Sequence, residues 1–103
     1  MSEIKTQPKR LVDLNPVWLN SEGSGGPQRS ALEFDCPCGL PPGRGEGRCS
    51  WARVYVPIAG RSKHSVTWKL VCGEDLTTLT LSPSLHLVGH WHGWLKNGVL
   101  TSC

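Results

Sequence analysis

No apolar run in this chain of 103 residues approaches the ~20 residues that a membrane-spanning helix needs, so no such helix is expected among them. Charge of one sign is scarce as well. Lysine and arginine outnumber aspartate and glutamate 11 to 8, scattered rather than striped, a balance too mild to imply specific nucleic-acid binding. No segment carries a sustained 3.6-residue apolar period with caps at its ends, which argues against α-helices. Met1 to Arg10 is polar and charged, so it is not expected to act as an apolar leader. The five cysteines are an odd number, and Cys36 and Cys38 stand too close for an ordinary bridge. A disulfide framework is therefore not expected, and the expected compartment is reducing and cytoplasmic. At this length the chain makes one domain with a modest core, which a metal would help to staple.

What the chain does contain is a succession of short β signals. Met1 to Arg10 reads as a flexible arm, and residues 11–103 as a single β domain. Leu11 to Leu19 predicts a first strand ended by Pro16, with Trp18 as a core or rim anchor. Asn20 to Ser30, made of Ser, Gly, Pro and Gln, predicts a surface loop. Ala31 to Cys36 alternates and delivers Cys36 and Cys38 at the end of a strand. Cys49 to Ile58 is a second strand signal. Val66 to Cys72 alternates so that Val66, Trp68, Leu70 and Cys72 share one face, and Leu76 to Leu81 is rich in strand formers. His90 to Leu95 and Val99 to Cys103 flank Asn97-Gly98, the pair that favours a type I′ hairpin. The fold expected is mainly β, a small antiparallel sheet or barrel.

Two clusters carry chemistry. Cys36 and Cys38 are one residue apart, as are His90 and His92. Residues two apart on an extended strand point the same way, so each pair offers two ligands at once. Thiolate and imidazole together suit tetrahedral zinc, and the expected site joins the Cys-Pro-Cys knuckle to the His-Trp-His strand. If His86 or Cys49 supplies a ligand instead, one of the paired histidines is left for other work. The second cluster is Ser82-Pro83-Ser84, where proline fixes the backbone and presents a hydroxyl rigidly. A serine needs a base, and His86, His90 and His92 all lie within reach across a turn; Asp35 or Asp75 is available to orient the histidine. His64 reads as surface, Cys72 as a small core residue, and Trp91 and Trp94 as core residues or, beside a site, as ligand contacts.

The order of Asp35-Cys36-Pro37-Cys38-Gly39, Leu79 to Leu85 with its Ser-Pro-Ser, and His90-Trp91-His92-Gly93-Trp94-Leu95 followed by Asn97-Gly98-Val99 resembles a family of small bacterial and phage proteins known as a domain of unknown function. The resemblance runs from Leu11 onward. It implies a zinc-binding β domain in the cytoplasm of a bacterial or phage-infected cell. Because some members stand beside ubiquitin-like conjugation genes in Bub-type operons, it also implies a peptidase that trims or removes a ubiquitin-like protein. The family's Cys-Pro-Cys falls on Cys36 and Cys38, its Ser-Pro-Ser on Ser82 and Ser84, and its late histidine on His92. Where many members have a cysteine three residues before that histidine, this chain has Gly89, so His90, His86 or Cys49 must compensate. The expected assignment is Ser84 as nucleophile with His92 and Asp35, and Cys36, Cys38, His90, His92 and His86 as metal ligands. A second enzymatic version has zinc activating water, and the alternative class is a non-catalytic zinc-binding adaptor that uses Trp91 and Trp94 as contacts.

Overall fold

A computed structural model describes residues 4–20, 29–71, 73–87 and 90–102. The described strands are β1 (Lys9–Arg10), β2 (Val17–Leu19), β3 (Ala31–Asp35), β4 (Arg53–Pro57), β5 (Lys69–Leu70), β6 (Leu81–Ser82), β7 (Leu85–Leu87), β8 (Trp91–Lys96) and β9 (Val99–Ser102). They form a four-stranded sheet in the order β1-β9-β8-β7, a three-stranded sheet β2-β3-β4 and the ribbon β5-β6, with every strand pair antiparallel. The mainly β, antiparallel expectation is what the fold shows, and no α-helix occurs among the described residues.

Period-two patterning decides which side chains face the core. On β8, Trp91, Gly93 and Leu95 are buried while His92, Trp94 and Lys96 face outward; on β7, Leu85 and Leu87 are buried and His86 is exposed. Phe34 of β3 sits opposite Val54 of β4, and these join Leu32, Val56, Leu11, Leu95, Leu100 and Trp91 in one core. The β8–β9 hairpin turns at Asn97 (φ 49°) and Gly98 (φ 75°), both left-handed as a type I′ turn requires. Gly93 is needed for a different reason. A methyl there would overlap the Thr101 carbonyl oxygen and the Trp91 ring.

Three local expectations are corrected. Leu11 to Leu19 is not one strand, since Leu11–Leu14 is a 3-10 helix that Asn15 ends at φ 51°. In such a turn residues three apart share a face, which seats Leu11 in the core with Leu14 beside it. In the Val66 to Cys72 run only Lys69–Leu70 is strand and Val66 is 63% exposed. Trp68 instead bridges Ile58, its N–H donating to the Pro57 carbonyl at 2.9 Å and its carbonyl accepting from Ala59 at 2.8 Å. Cys72 lies outside the described residues, as do Gly89 and most of the Asn20 to Ser30 loop. In the Leu76 to Leu81 run, Thr77 donates to Asp75 Oδ1 from its backbone at 2.9 Å and from its hydroxyl at 2.6 Å. That local bonding competes with a ladder, so the strand begins only at Leu81.

In place of a free arm, residues from Ile4 onward are tied to the four-stranded sheet. Ile4 bridges Trp91 and donates its N–H to the His90 carbonyl at 2.7 Å. The Thr6 N–H donates to Ser102 Oγ, and the Ser102 hydroxyl donates back to the Thr6 carbonyl, each at 3.1 Å. The indole N–H of Trp91, 1% exposed, donates to Thr6 Oγ1 at 3.2 Å. Thr6→Val keeps the shape but orphans this buried donor, so it is expected to lower stability by about 1–3 kcal/mol, measurable by urea denaturation.

Candidate metal centre and Ser84–His92 pair

The first centre is built where β3 runs out. Cys36 donates its N–H to the Ala52 carbonyl at 3.0 Å, and Cys49 donates to the Pro41 carbonyl at 2.7 Å, so both ends of the 39–48 loop are held against each other. Within that loop Gly43 (φ 137°) and Gly45 (φ 100°) adopt backbone conformations open essentially to glycine. From the far sheet, the turn before β8 brings in His90. Sulfurs of Cys36, Cys38 and Cys49 and a ring nitrogen of His90 all lie within 4.8 Å of one another, with His90 Nε2 3.4 Å from both Cys36 Sγ and Cys49 Sγ. A tetrahedral ion with bonds of ~2.3 Å to sulfur and ~2.0–2.1 Å to nitrogen sets its ligand atoms about 3.5–3.8 Å apart, so the set fits such an ion with small adjustment.

The electrostatics point the same way. Burial pushes the Cys36 thiol well above the ordinary thiol range, and burial raises Cys38 too. At Cys49 burial also acts upward, but hydrogen bonding from the backbone at Ala52 and Trp51 and from the neighbouring thiols outweighs it, and the net shift is downward. Buried together, the three thiols resist ionising as a set, and a bound cation would supply the missing charge. This is a Cys₃His cluster compatible with zinc binding.

Of the ligands expected from sequence, Cys36, Cys38 and His90 are brought together; Cys49, named there as a substitute, completes the four. His86 and His92 stand elsewhere. Ser84 closes the corner between β6 and β7, and its Oγ lies 2.9 Å from His92 Nε2. Its carbonyl accepts the Trp68 indole N–H at 3.1 Å, a contact with no signal in the sequence. His86 and His92 are direct cross-strand partners, their rings stacked with centroids 4.4 Å apart and planes at 29°.

Asp35 is placed away from this pair, in an ion network. Arg53 Nη1 donates to Asp35 Oδ1 at 2.8 Å, Arg53 Nε to Glu33 Oε1 at 3.1 Å, and Asn15 Nδ2 to Asp35 Oδ2 at 2.7 Å. Asp35 and Arg53 rim a cavity of about 410 Å³ against the cluster, lined also by Leu14, Leu40, Cys36 and Cys49. Asp75 is likewise engaged, with Thr77. His64 is exposed beside Tyr55, Trp91 is core, and Trp94 is 40% exposed.

Two outcomes follow. Cys49→Ser is expected to lose stoichiometric metal and the folded baseline together, whereas His92→Ala keeps one ion per chain; metal analysis and circular dichroism read both. The Arg53 guanidinium, with Asn15, holds the Asp35 carboxyl below its usual range. Its stabilisation is fully present above the unfolded value of about 3.9 and is lost as pH falls through the lower folded value. Arg53→Gln should move the carboxyl titration of Asp35, followed by NMR, back up toward the ordinary range. In comparisons with protein families, curated proteins and solved structures, the chain finds no match.

Proposed function

We propose that this chain is a small zinc-stabilised hydrolase, a peptidase acting on a ubiquitin-like protein or its conjugates, with Ser84 as nucleophile and His92 as base. The observation that carries the reading is the 2.9 Å contact between Ser84 Oγ and His92 Nε2, made outside the Cys₃His cluster, whose four side chains could hold a metal without either residue. Serine is a weak nucleophile until an adjacent base takes its proton, and hydrogen-bond reach is the geometry this needs. In the proposed reaction the Ser84 hydroxyl donates to His92 Nε2 and attacks the scissile carbonyl carbon. Backbone N–H groups beside the turn receive the oxyanion. His92 then returns the proton to the departing amine, and water releases the acyl group from Ser84 by the same path.

Cys36, Cys38, Cys49 and His90 would hold the zinc, whose contribution when bound is charge compensation and cross-linking. A closed four-ligand set is the pattern of a structural site rather than one that keeps a position for water. The substrate class rests on the order of the Cys-Pro-Cys, Ser-Pro-Ser and His-Trp-His-Gly motifs. A second reading, a zinc-binding interaction module without turnover, is favoured by Trp51 and Trp94, which are 44% and 40% exposed.

The test is cleavage of a ubiquitin-like protein carrying a C-terminal extension, together with fluorophosphonate labelling of Ser84. Ser84→Ala should abolish both, a loss of roughly 10³-fold or more, while leaving metal content and melting temperature unchanged. Full cleavage by Ser84→Ala would refute the serine mechanism. Metal binding without cleavage or labelling would favour the interaction module.

A further inference from the structure

The zinc cluster does not use every metal-binding side chain. His86 of β7 and His92 of β8 oppose each other directly on the outward face of the four-stranded sheet, and their rings are stacked at 4.4 Å with a tilt of 29°. A directly opposed pair in an antiparallel sheet holds its Cβ atoms about 4.5–5.5 Å apart. An ion bound to both imidazoles at ~2.0–2.1 Å needs nitrogens roughly 3.4 Å apart for a tetrahedral angle. Stacked rings send their in-plane lone pairs nearly side by side, so a shared ion requires the rings to unstack by rotation about χ1 and χ2, of which χ2 is a broad torsion in histidine. Ser84 Oγ, 2.9 Å from His92 Nε2, adds an oxygen on the same rim. His86 is exposed and His92 half-buried, so water has access to complete the coordination.

We infer that His86 and His92 form a second, surface site for a divalent transition-metal ion, filled after the buried cluster, and that its occupancy silences Ser84. Imidazole nitrogens suit zinc, copper and nickel, and two of them without thiolate hold such an ion more weakly and exchangeably than the Cys₃His set. The silencing follows from proton bookkeeping. An ion bound through His92 Nε2 takes the lone pair that would accept the Ser84 proton. An ion bound through Nδ1 leaves the neutral ring with its single proton on Nε2, which then has no lone pair to offer. The consequence for Ser84 rests on the proposed hydrolase reading; the metal site itself does not.

Full-length protein without a histidine tag, carrying one zinc per chain, is titrated calorimetrically with further Zn²⁺. A second equivalent should bind, and weaken at least about tenfold in His86→Phe, which keeps a stacked ring and removes its nitrogens, with the first zinc retained. His86→Gln repeats the measurement should the aromatic replacement disturb the fold. Fluorophosphonate labelling of Ser84 should fall in step with the second equivalent in the native chain and persist in excess zinc in His86→Phe. A single zinc per chain up to millimolar metal, or a second zinc undiminished in both variants, overturns the site. A second zinc bound with labelling unchanged overturns the silencing. If Ser84 is never labelled in the one-zinc chain, the hydrolase reading fails and the silencing with it, while the calorimetry decides the metal site by itself.

Discussion

Three thiols and one imidazole converge at the seam between the two larger sheets, and the meeting of those sheets is organised around this largely buried set. Cys36 follows β3, Cys49 precedes β4, and His90 precedes β8, so the cluster ties the three-stranded sheet to the four-stranded one. Residues 39–48 between the cysteines are almost all exposed and bring few apolar contacts of their own. In a chain this small such a loop has little burial to hold it, and a metal at its two ends would supply in a few strong bonds what a larger core supplies by area.

The cluster also fixes the strand on which the second centre is mounted. His90 and His92 are two residues apart on the approach to and along β8, a separation of about 6.6–6.8 Å in extended chain. Anchoring His90 therefore limits where the His92 ring can be. Ser84 comes to it from the neighbouring β7 corner, steadied through the Trp68 contact to its carbonyl. The N-terminal arm adds a third restraint on the same place, because Ile4 holds the His90 carbonyl and Thr6 holds the Trp91 indole. Cysteine cluster, arm and hairpin thus converge on one short stretch, residues 90–92.

Asp35 illustrates how a side chain of the right chemical type is taken up by a different task. It adjoins Cys36, yet it is paired with Arg53 across the β3–β4 ladder and with Asn15 at the end of the 3-10 helix. That arrangement holds the start of the knuckle against two other elements. Partly exposed ion pairs of this kind contribute modestly to stability, and their value here is positional, since they set the direction in which the chain enters the metal cluster.

What the sequence by itself determined is whatever depends on near neighbours in the chain. The alternation of Ala31 to Asp35 and of Trp91 to Lys96, the Asn97-Gly98 turn and the pairing of Cys36 with Cys38 are local properties, legible because side-chain period and turn chemistry act over a few residues. The shortened strands at Lys69–Leu70 and Leu81–Ser82 were not legible, because a bridge to Ile58 and the Asp75–Thr77 bonds overrode local propensity. The division of the histidines was decided only by tertiary structure. His86, His90 and His92 are chemically equivalent in the chain, and nothing in their spacing says which stands with the cysteines and which with Ser84. The separation arises because Cys49, 41 residues from His90 in sequence, approaches its ring to 3.4 Å and fills the fourth position, while antiparallel register sets His92 against His86 and within reach of Ser84. Such choices depend on contacts between distant segments, and those exist only once the sheets have packed.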